Sequence, residues 1–280
     1  MIKMHKIIRI IIVNYKKDDE VLTLIDSINQ QILKEYIIEI VIIDNSKNLK
    51  FKNNFNNINP LVVVPSKNLG YSVACNMGAK IKISNYKPNI LAFLSPDIQL
   101  KEKLILQKII KKIKKTNSKY VYSPCQLNPC NTFEKVGRNF PTIFDILIKR
   151  FKLKWLRIKT DYLSINNDYD VKGNLLHVDW LQSSSIFIPS KIFYLIGGFD
   201  ESFFVFCADL WLGFLLKEKK IKSVLIKNII VNADGKRASE SKDNKSFFIN
   251  KILLIHIFDY LKYILKRFLY RKFYLRKSVI

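Results

Sequence analysis

The chain predicts an α/β fold: a mostly parallel sheet with helices on both faces, followed by basic amphipathic helices at the C-terminus. Three observations carry this. Over the first 115 residues, β-branched apolar runs alternate with stretches of helical periodicity. The runs are apolar throughout rather than alternating, as in strands buried on both faces. The connections between them are short enough for right-handed crossovers.

In chain order, "KIIRIIIVNY" is a strand ending near Val13. "VLTLIDSINQQIL" spaces Val21, Leu24, Ile25 and Ile28 along one helix face. "IEIVIIDNS" is the second strand, with Asp44 at its exit, and "NPLVVVPSKN" the third. "GYSVACNMGAKIKI" predicts a helix with Val73, Ala74 and Met77 on one side. "NILAFLSPD" is the fourth strand and "KEKLILQKIIKKIKK" the next helix. Ligands of such sheets bind outside the carboxyl ends of the strands, which puts Asn14, Tyr15, Asp44, Asn45 and Asp97 near one rim.

Past Lys115 the pattern loosens. "YVYSPCQL" reads as a strand, and "TIFDILIKRFKLKWLRIK" is the one clear amphipathic piece between 131 and 178. A strand is expected over 183–189 and a short helix over 190–196, broken by Gly197 and Gly198. A loop then carries Asp200 and Glu201, with Tyr194 and "FFVF" expected in the core. A helix begins near Asp209, "IKSVLIKNIIVNA" supplies further strands, and the chain turns helical from Lys251.

Composition bounds the function. The net charge is +25 and about half of the residues are apolar, so a real core forms and anions are attracted. Four cysteines in 280 residues make no disulfide scaffold and point to a reducing compartment. The short apolar run at the start stops at Asn14, without a long h-region or cleavage site, which argues against a signal peptide. Three scattered histidines support no metal–histidine site or catalytic triad. There is no G-x-G-x-x-G after the first strand and no P-loop.

Several polar residues have two readings each. Asp97, in "FLSPD", either caps the next helix or holds Mg²⁺ or Mn²⁺ against a diphosphate. Asp44 either closes an Asx-turn or accepts the imide N–H of uracil or thymine, against which Tyr15 can pack. Gly70 allows positive φ or close approach of a ligand, beside Asn68 and Asn76. Gly78 is a packing notch or part of a binding surface. Asp209, among Phe204, Phe206, Leu210 and Trp211, is a helix N-cap or a desolvated proton acceptor. The helix from Lys251 either lies on an anionic leaflet or docks on the body with its basic face in water.

In order, "IIVNY", "VIIDNS", "NLGYSVACNMG", "FLSPD" and "DWLQSSSIFIPSKIFYLIGGFDESFFVFCADLWL" resemble the family 2 glycosyltransferases of GT-A, Rossmann-like fold, nearest their rhamnosyltransferase-like branch. The resemblance spans roughly residues 7–235. It implies donor contacts at Asn14, Tyr15, Asp44, Asn45, Asn68, Gly70, Asn76 and Asp97, with Asp97 as metal ligand. It implies Asp209 as catalytic base and Asp179, Trp180, Asp200 and Glu201 on the acceptor side. The chain departs from the family pattern at Ser95, Ala208 and Trp211, where polar or acidic residues are usual, and a family histidine falls on Asn232.

The implied reaction is an inverting, metal-dependent transfer from a dTDP- or UDP-sugar, rhamnose among the candidates, to a surface-polysaccharide or lipid-linked glycan. Residues 1–115 would form the donor half, 116–240 the acceptor and catalytic half, and 241–280 the tail. The location implied is cytoplasmic, with the tail able to hold the inner face of the membrane. The rival readings are a non-catalytic homologue, motivated by Ser95, Ala208 and Trp211, and a basic nucleic-acid-binding protein. No specific nucleic acid is expected, because no RNA-reading module occurs.

Overall fold

A computed structural model describes residues 6–47, 59–141, 174–234 and 251–273. The amphipathic stretch "TIFDILIKRFKLKWLRIK" lies outside them. The first half runs β1 (Lys6–Asn14), α1 (Asp18–Asn29), β2 (Tyr36–Asp44), β3 (Leu61–Val63), α2 (Gly70–Lys80), β4 (Ile90–Leu94) and α3 (Ile105–Lys115). The second runs β5 (Val121–Leu127), β6 (Gly137–Arg138), β7 (Leu175–Val178), β8 (Trp180–Leu181), β9 (Ser185–Pro189), α4 (Ser190–Leu195), α5 (Ala208–Glu218), β10 (Ser223–Asn232) and α6 (Lys251–Phe273).

The main sheet has eight strands in the order β3-β2-β1-β4-β9-β5-β10-β7. β1 pairs in parallel with β2 and β4, β2 with β3, and β5 with β10. β9 enters antiparallel between β4 and β5, and β7 closes the far edge antiparallel to β10. The apolar strands feed cores on both faces. Ile8, Ile10 and Ile12 pack with Leu24 of α1 and Ile109 of α3, while Ile11 turns to the other face with Cys75, Phe93, Phe193 and α5. The expected face of α1 is fully buried.

Several local expectations give way to tertiary packing. α1 starts earlier, at Asp18, where three acids face the positive helix N-terminus. On α2, Ala74 is buried, but the rest of the packed face is small and polar (Ser72, Cys75, Asn76, Gly78, Ala79) while Val73 and Met77 are only partly covered. A Cβ at Gly78 would lie 2.7 Å from Ile11 Cγ2, so the residue is a packing notch for β1. The "IKSVLIKNIIVNA" stretch makes one strand, β10, with a bulge between Ile226 and Ile230, rather than several. Tyr194 is exposed and donates its hydroxyl to Ala79 O (3.0 Å). Of "FFVF", Phe203 is core, whereas Phe204 and Val205 are exposed because their backbone is held from below.

One buried charge fixes α2. Arg9, in the middle of β1 and 2% exposed, meets its strand-register partner Glu39 at 2.7 Å. Its remaining N–H groups donate to Ala79 O (3.0 Å) and Ile81 O (2.6 Å) at the end of α2. A cation thus satisfies carbonyls that the helix end leaves open and is itself neutralised by Glu39. The opposite end of α2 begins the site.

Candidate active site

The carboxyl ends of β1 and β2 stand in register, Asn14 beside Asp44. Both are fully buried. The Asn14 amide donates to Asp44 Oδ1 (3.0 Å) and Asp18 Oδ1 (2.7 Å), and Asn14 Oδ1 accepts the N–H of Lys17 (3.1 Å). Asp44 Oδ1 also accepts the N–H and hydroxyl of Ser46 (3.0 and 2.6 Å), which is the Asx-turn reading of that residue. Tyr15, next on the rim, is half in solvent.

Asn45 carries the rim to α2. Its Oδ1 accepts Leu69 N–H (3.1 Å) and its amide donates to Gly70 O (3.3 Å), while Asn68 Oδ1 accepts Gly70 N–H (2.8 Å). Gly70 has φ +74°, and a Cβ there would stand 2.5 Å from Phe204 O. The positive φ is as expected, and the close approach is made by the chain's own 204 loop rather than by a ligand. Asn76 reaches the other side of that loop: its amide donates to Phe199 O (2.8 Å) and Glu201 Oε1 (2.9 Å), and its Oδ1 accepts Phe199 N–H (2.9 Å).

Asp97 lies in the turn after β4, where Ile98 N–H donates to Ser95 O (3.1 Å). It does not cap α3, which begins eight residues later with Leu104 at the cap. Gln99 exchanges both backbone hydrogen bonds with Asn232 (2.9 and 3.0 Å), so the end of β10 is brought alongside. The acid delivered to Asp97 is Asp234, not the Asn232 side chain. Asp97 is pushed up to about 6, mainly by burial; Lys17 opposes the shift, and Asp234, hydrogen-bonded to Asp97, adds to it. Lys17 Nζ stands 3.8 Å from Asp234 Oδ2. Among the described residues no group of three or more His, Cys, Asp or Glu could hold a metal. Two adjacent carboxylates do fit a hard divalent cation that takes its other ligands from diphosphate and water.

Asp209 sits in the first turn of α5 without being its cap; that position is Cys207, whose φ of 62° is left-handed. Asp209 Oδ2 accepts the N–H of Ser183 (3.2 Å) and Oδ1 that of Leu210 (2.9 Å). Burial raises its pKa, outweighing these two amides and the more remote charge of Arg138. The neighbouring turn links Asp209 to the end of β4. Ser183 contacts Asp209, Ser184 O accepts Ser95 N–H (2.8 Å), and Ser185 pairs with Leu94 at the end of β4. Tyr71 of α2 braces the turn by donating its hydroxyl to Ser183 O (3.0 Å).

On the expected acceptor side, Asp179 binds Lys217 Nζ (3.0 Å) and the N–H of Phe140 (2.9 Å). Trp180 is buried, donating its indole N–H to Asn139 O (3.0 Å) beneath the Arg138 guanidinium. Asp200 accepts from Lys266 of α6 and from Ser202 N–H (3.0 Å). Glu201 is exposed apart from its bond to Asn76.

Four contributors were not legible in the sequence: Lys17, the serine turn, Asp234 and Asp259. Lys17 is lost among many lysines. Asp259, the only acid of α6, is 2% exposed. Its carboxylate accepts the N–H groups of Phe204, Val205 and Phe206 (3.4, 3.2 and 3.0 Å). It therefore holds the loop that leads into the left-handed Cys207 and Asp209. Its lone acidity in a basic helix was the available signal. Trp211, where an acid is usual, stacks on Phe214 (5.0 Å) and meets Tyr263 and Tyr270 of α6 edge-on, so that position serves helix docking.

Residues 9–172 match the family described as Glycosyl transferase family 2. No curated protein matches the chain. Among solved structures, GalNAc-T7 with UDP, GalNAc and Mn2+ aligns at TM-score 0.57 and 15% identity, over 82% of this chain and 44% of that one. The mannosyltransferase PcManGT from Pyrobaculum calidifontis, in complex with GDP-Man and Mn2+, aligns at TM-score 0.55 and 11% identity, over 85% and 59%. S. aureus TarS 1-349 aligns at TM-score 0.50 and 14% identity, over 82% and 58%. At these identities the likeness is one of fold. The aligned region is 44% to 59% of the length of those chains.

Proposed function

The chain belongs to glycosyl transferase family 2, and from that premise we propose that it transfers a sugar from a nucleoside diphosphate donor to a hydroxyl of a glycan or lipid-linked saccharide, with inversion. One observation carries the reading: the Ser183–Ser185 turn touches both the end of β4, next to Asp97, and Asp209. Asp209 meets that turn directly, and Asp97 follows two residues after Ser95, which the turn also holds; burial raises both acids.

Residues 1–115 act as the donor half in this reading, 116–240 as the acceptor and catalytic half, and 241–280 as the tail. The rim of Asn14, Tyr15, Asp44, Asn45, Asn68, Gly70 and Asn76 takes the nucleotide in this reading, Asp44 accepting a pyrimidine imide N–H. Asp179, Trp180, Asp200 and Glu201 border the acceptor. Asp97 and Asp234 are the residues that would hold Mg²⁺ or Mn²⁺, which when bound supplies charge neutralisation for the diphosphate. The Lys17 ammonium, already beside Asp234, adds fixed positive charge at the same place.

Asp209 accepts the proton of the acceptor hydroxyl. As that oxygen bonds to the anomeric carbon, the bond from the carbon to the diphosphate oxygen breaks and its electron pair leaves with the diphosphate. Burial makes Asp209 a stronger base than an exposed aspartate, and the amides of Ser183 and Leu210 aim its oxygens. Trp211 speaks against reading the lost family acid as lost catalysis, since its ring packs under α6.

A thermal-shift screen of nucleotide-sugars with and without Mn²⁺ or Mg²⁺ tests the reading, because a ligand of the native state raises stability by mass action. dTDP-rhamnose and UDP-hexoses are the first donors to compare. The expected result is a cation-dependent rise in Tm for one nucleotide series. No rise with any nucleotide-sugar, cation present, sinks the proposal.

A further inference from the structure

The amphipathic helix α6 turns Lys262, Lys266 and Arg267 toward the body. Lys266 binds Asp200 and stands over Trp211 (5.6 Å), Lys262 binds Ser202 O, and Arg267 lies over Phe140 and Phe214 (5.4 and 5.7 Å). Tyr263 and Asp259 are buried against the body. The side left to solvent is Leu254, Phe258, Leu261, Leu265, Phe268 and Leu269, with Phe258 and Phe268 each 62% exposed. The first five follow one another at steps of four, three, four and three residues, so they form one ridge. It runs roughly 22 Å along the helix. Ile255, Ile257 and Ile264 widen it as half-buried shoulders.

We propose that this ridge is a lipid-docking face: α6 lies in the plane of an anionic bilayer surface with the ridge set into the headgroup boundary. A continuous exposed apolar strip of this length marks an interaction surface. Among the described residues no helix is long and apolar enough to cross a membrane, so the mode is lying on the surface. Charge selects lipid over a second copy. Each chain carries +25, so two copies repel while an anionic leaflet attracts. The ridge is flanked by Ile255, Ile257, Ile264 and Lys262, and the only acid of α6, Asp259, is buried, so it lacks the paired opposite charges by which helices choose a partner. Lys272, exposed and four residues beyond Phe268 on the same line, is placed to reach headgroups. The helix docks on the body, as one of its two sequence readings had it, but an apolar ridge faces solvent where a basic face was expected.

The test is co-sedimentation of the full chain with phosphatidylglycerol-containing and pure phosphatidylcholine vesicles, against the triple variant Phe258→Ser, Leu261→Ser, Leu265→Ser. These side chains are exposed, so the variant should keep its Tm. The wild type should partition onto both, more strongly onto the anionic vesicles, and the variant about tenfold less or weaker. Wild type remaining in the supernatant overturns the proposal. So does a variant that binds as well as wild type, or binding that salt abolishes alike in both, which would be charge alone. A wild-type dimer that the variant dissociates, without vesicle binding, assigns the ridge to a second copy and also overturns it. None of these outcomes depends on the transfer reaction, so failure here leaves the proposed function standing.

Discussion

Asp97 and Asp209 are both aspartates that burial pushes above the ordinary range, yet their surroundings differ in kind. Asp97 stands against a second carboxylate, Asp234, with a lysine close by. Asp209 stands against two backbone amides, with the charge of Arg138 only a lesser influence. A pair of acids concentrates negative charge and favours a cation. A single acid held by amides keeps one orientation and one accepting oxygen face. In the proposed function, what the fold puts beside each aspartate makes Asp97 the charge-gathering centre and Asp209 the proton acceptor.

The largest effect should come from the proton acceptor. Asp209→Asn should lower the transfer rate by about 10²- to 10⁴-fold while the Tm rise from donor binding persists. In the wild type only the ionised carboxyl accepts a proton. The rate should therefore climb as pH rises through a value above the ordinary aspartate figure of about 3.9, and kcat against pH would show it. Loss of donor binding in Asp209→Asn would merge the two centres into one.

The next effect separates the centres by cation demand. Asp234→Asn should raise the Mn²⁺ concentration needed for half-maximal activity by on the order of tenfold or more. Asp209→Asn should leave the cation dependence of donor binding, read by thermal shift, where it was. An equal change in both variants would contradict the division. The smallest effect concerns the support behind Asp209. Asp259→Ala would leave three loop amides without their acceptor and should lower stability by about 1–3 kcal/mol, with a smaller fall in kcat than at Asp209. Thermal unfolding and kcat at saturating donor measure both.

Much of the donor half was legible because its signals are local. The buried face of α1 follows from a spacing of 3.6, and Asn14 and Asp44 end, and Asp97 follows, apolar strands whose ends a parallel sheet must gather. Gly70 announced an unusual backbone, which φ +74° bears out. Asp234 was harder to find, since only the antiparallel bridge of Asn232 to Gln99 brings it to Asp97. The core places of Tyr194 and Phe204 were misjudged because an apolar ring near a loop looks the same in sequence whether or not its backbone is held from elsewhere.

The order of elements over the first 115 residues, the two-sided burial of their strands and the acids at their ends follow from the chain alone, because periodicity and strand-end position are properties of neighbouring residues. The pairing of Asp97 with Asp234, the serine turn that links the end of β4 to Asp209, the Asp259 clamp and the outward apolar ridge of α6 were decided only in three dimensions. Each joins groups from separate elements, and burial and hydrogen bonding between such groups exist only once the elements are packed.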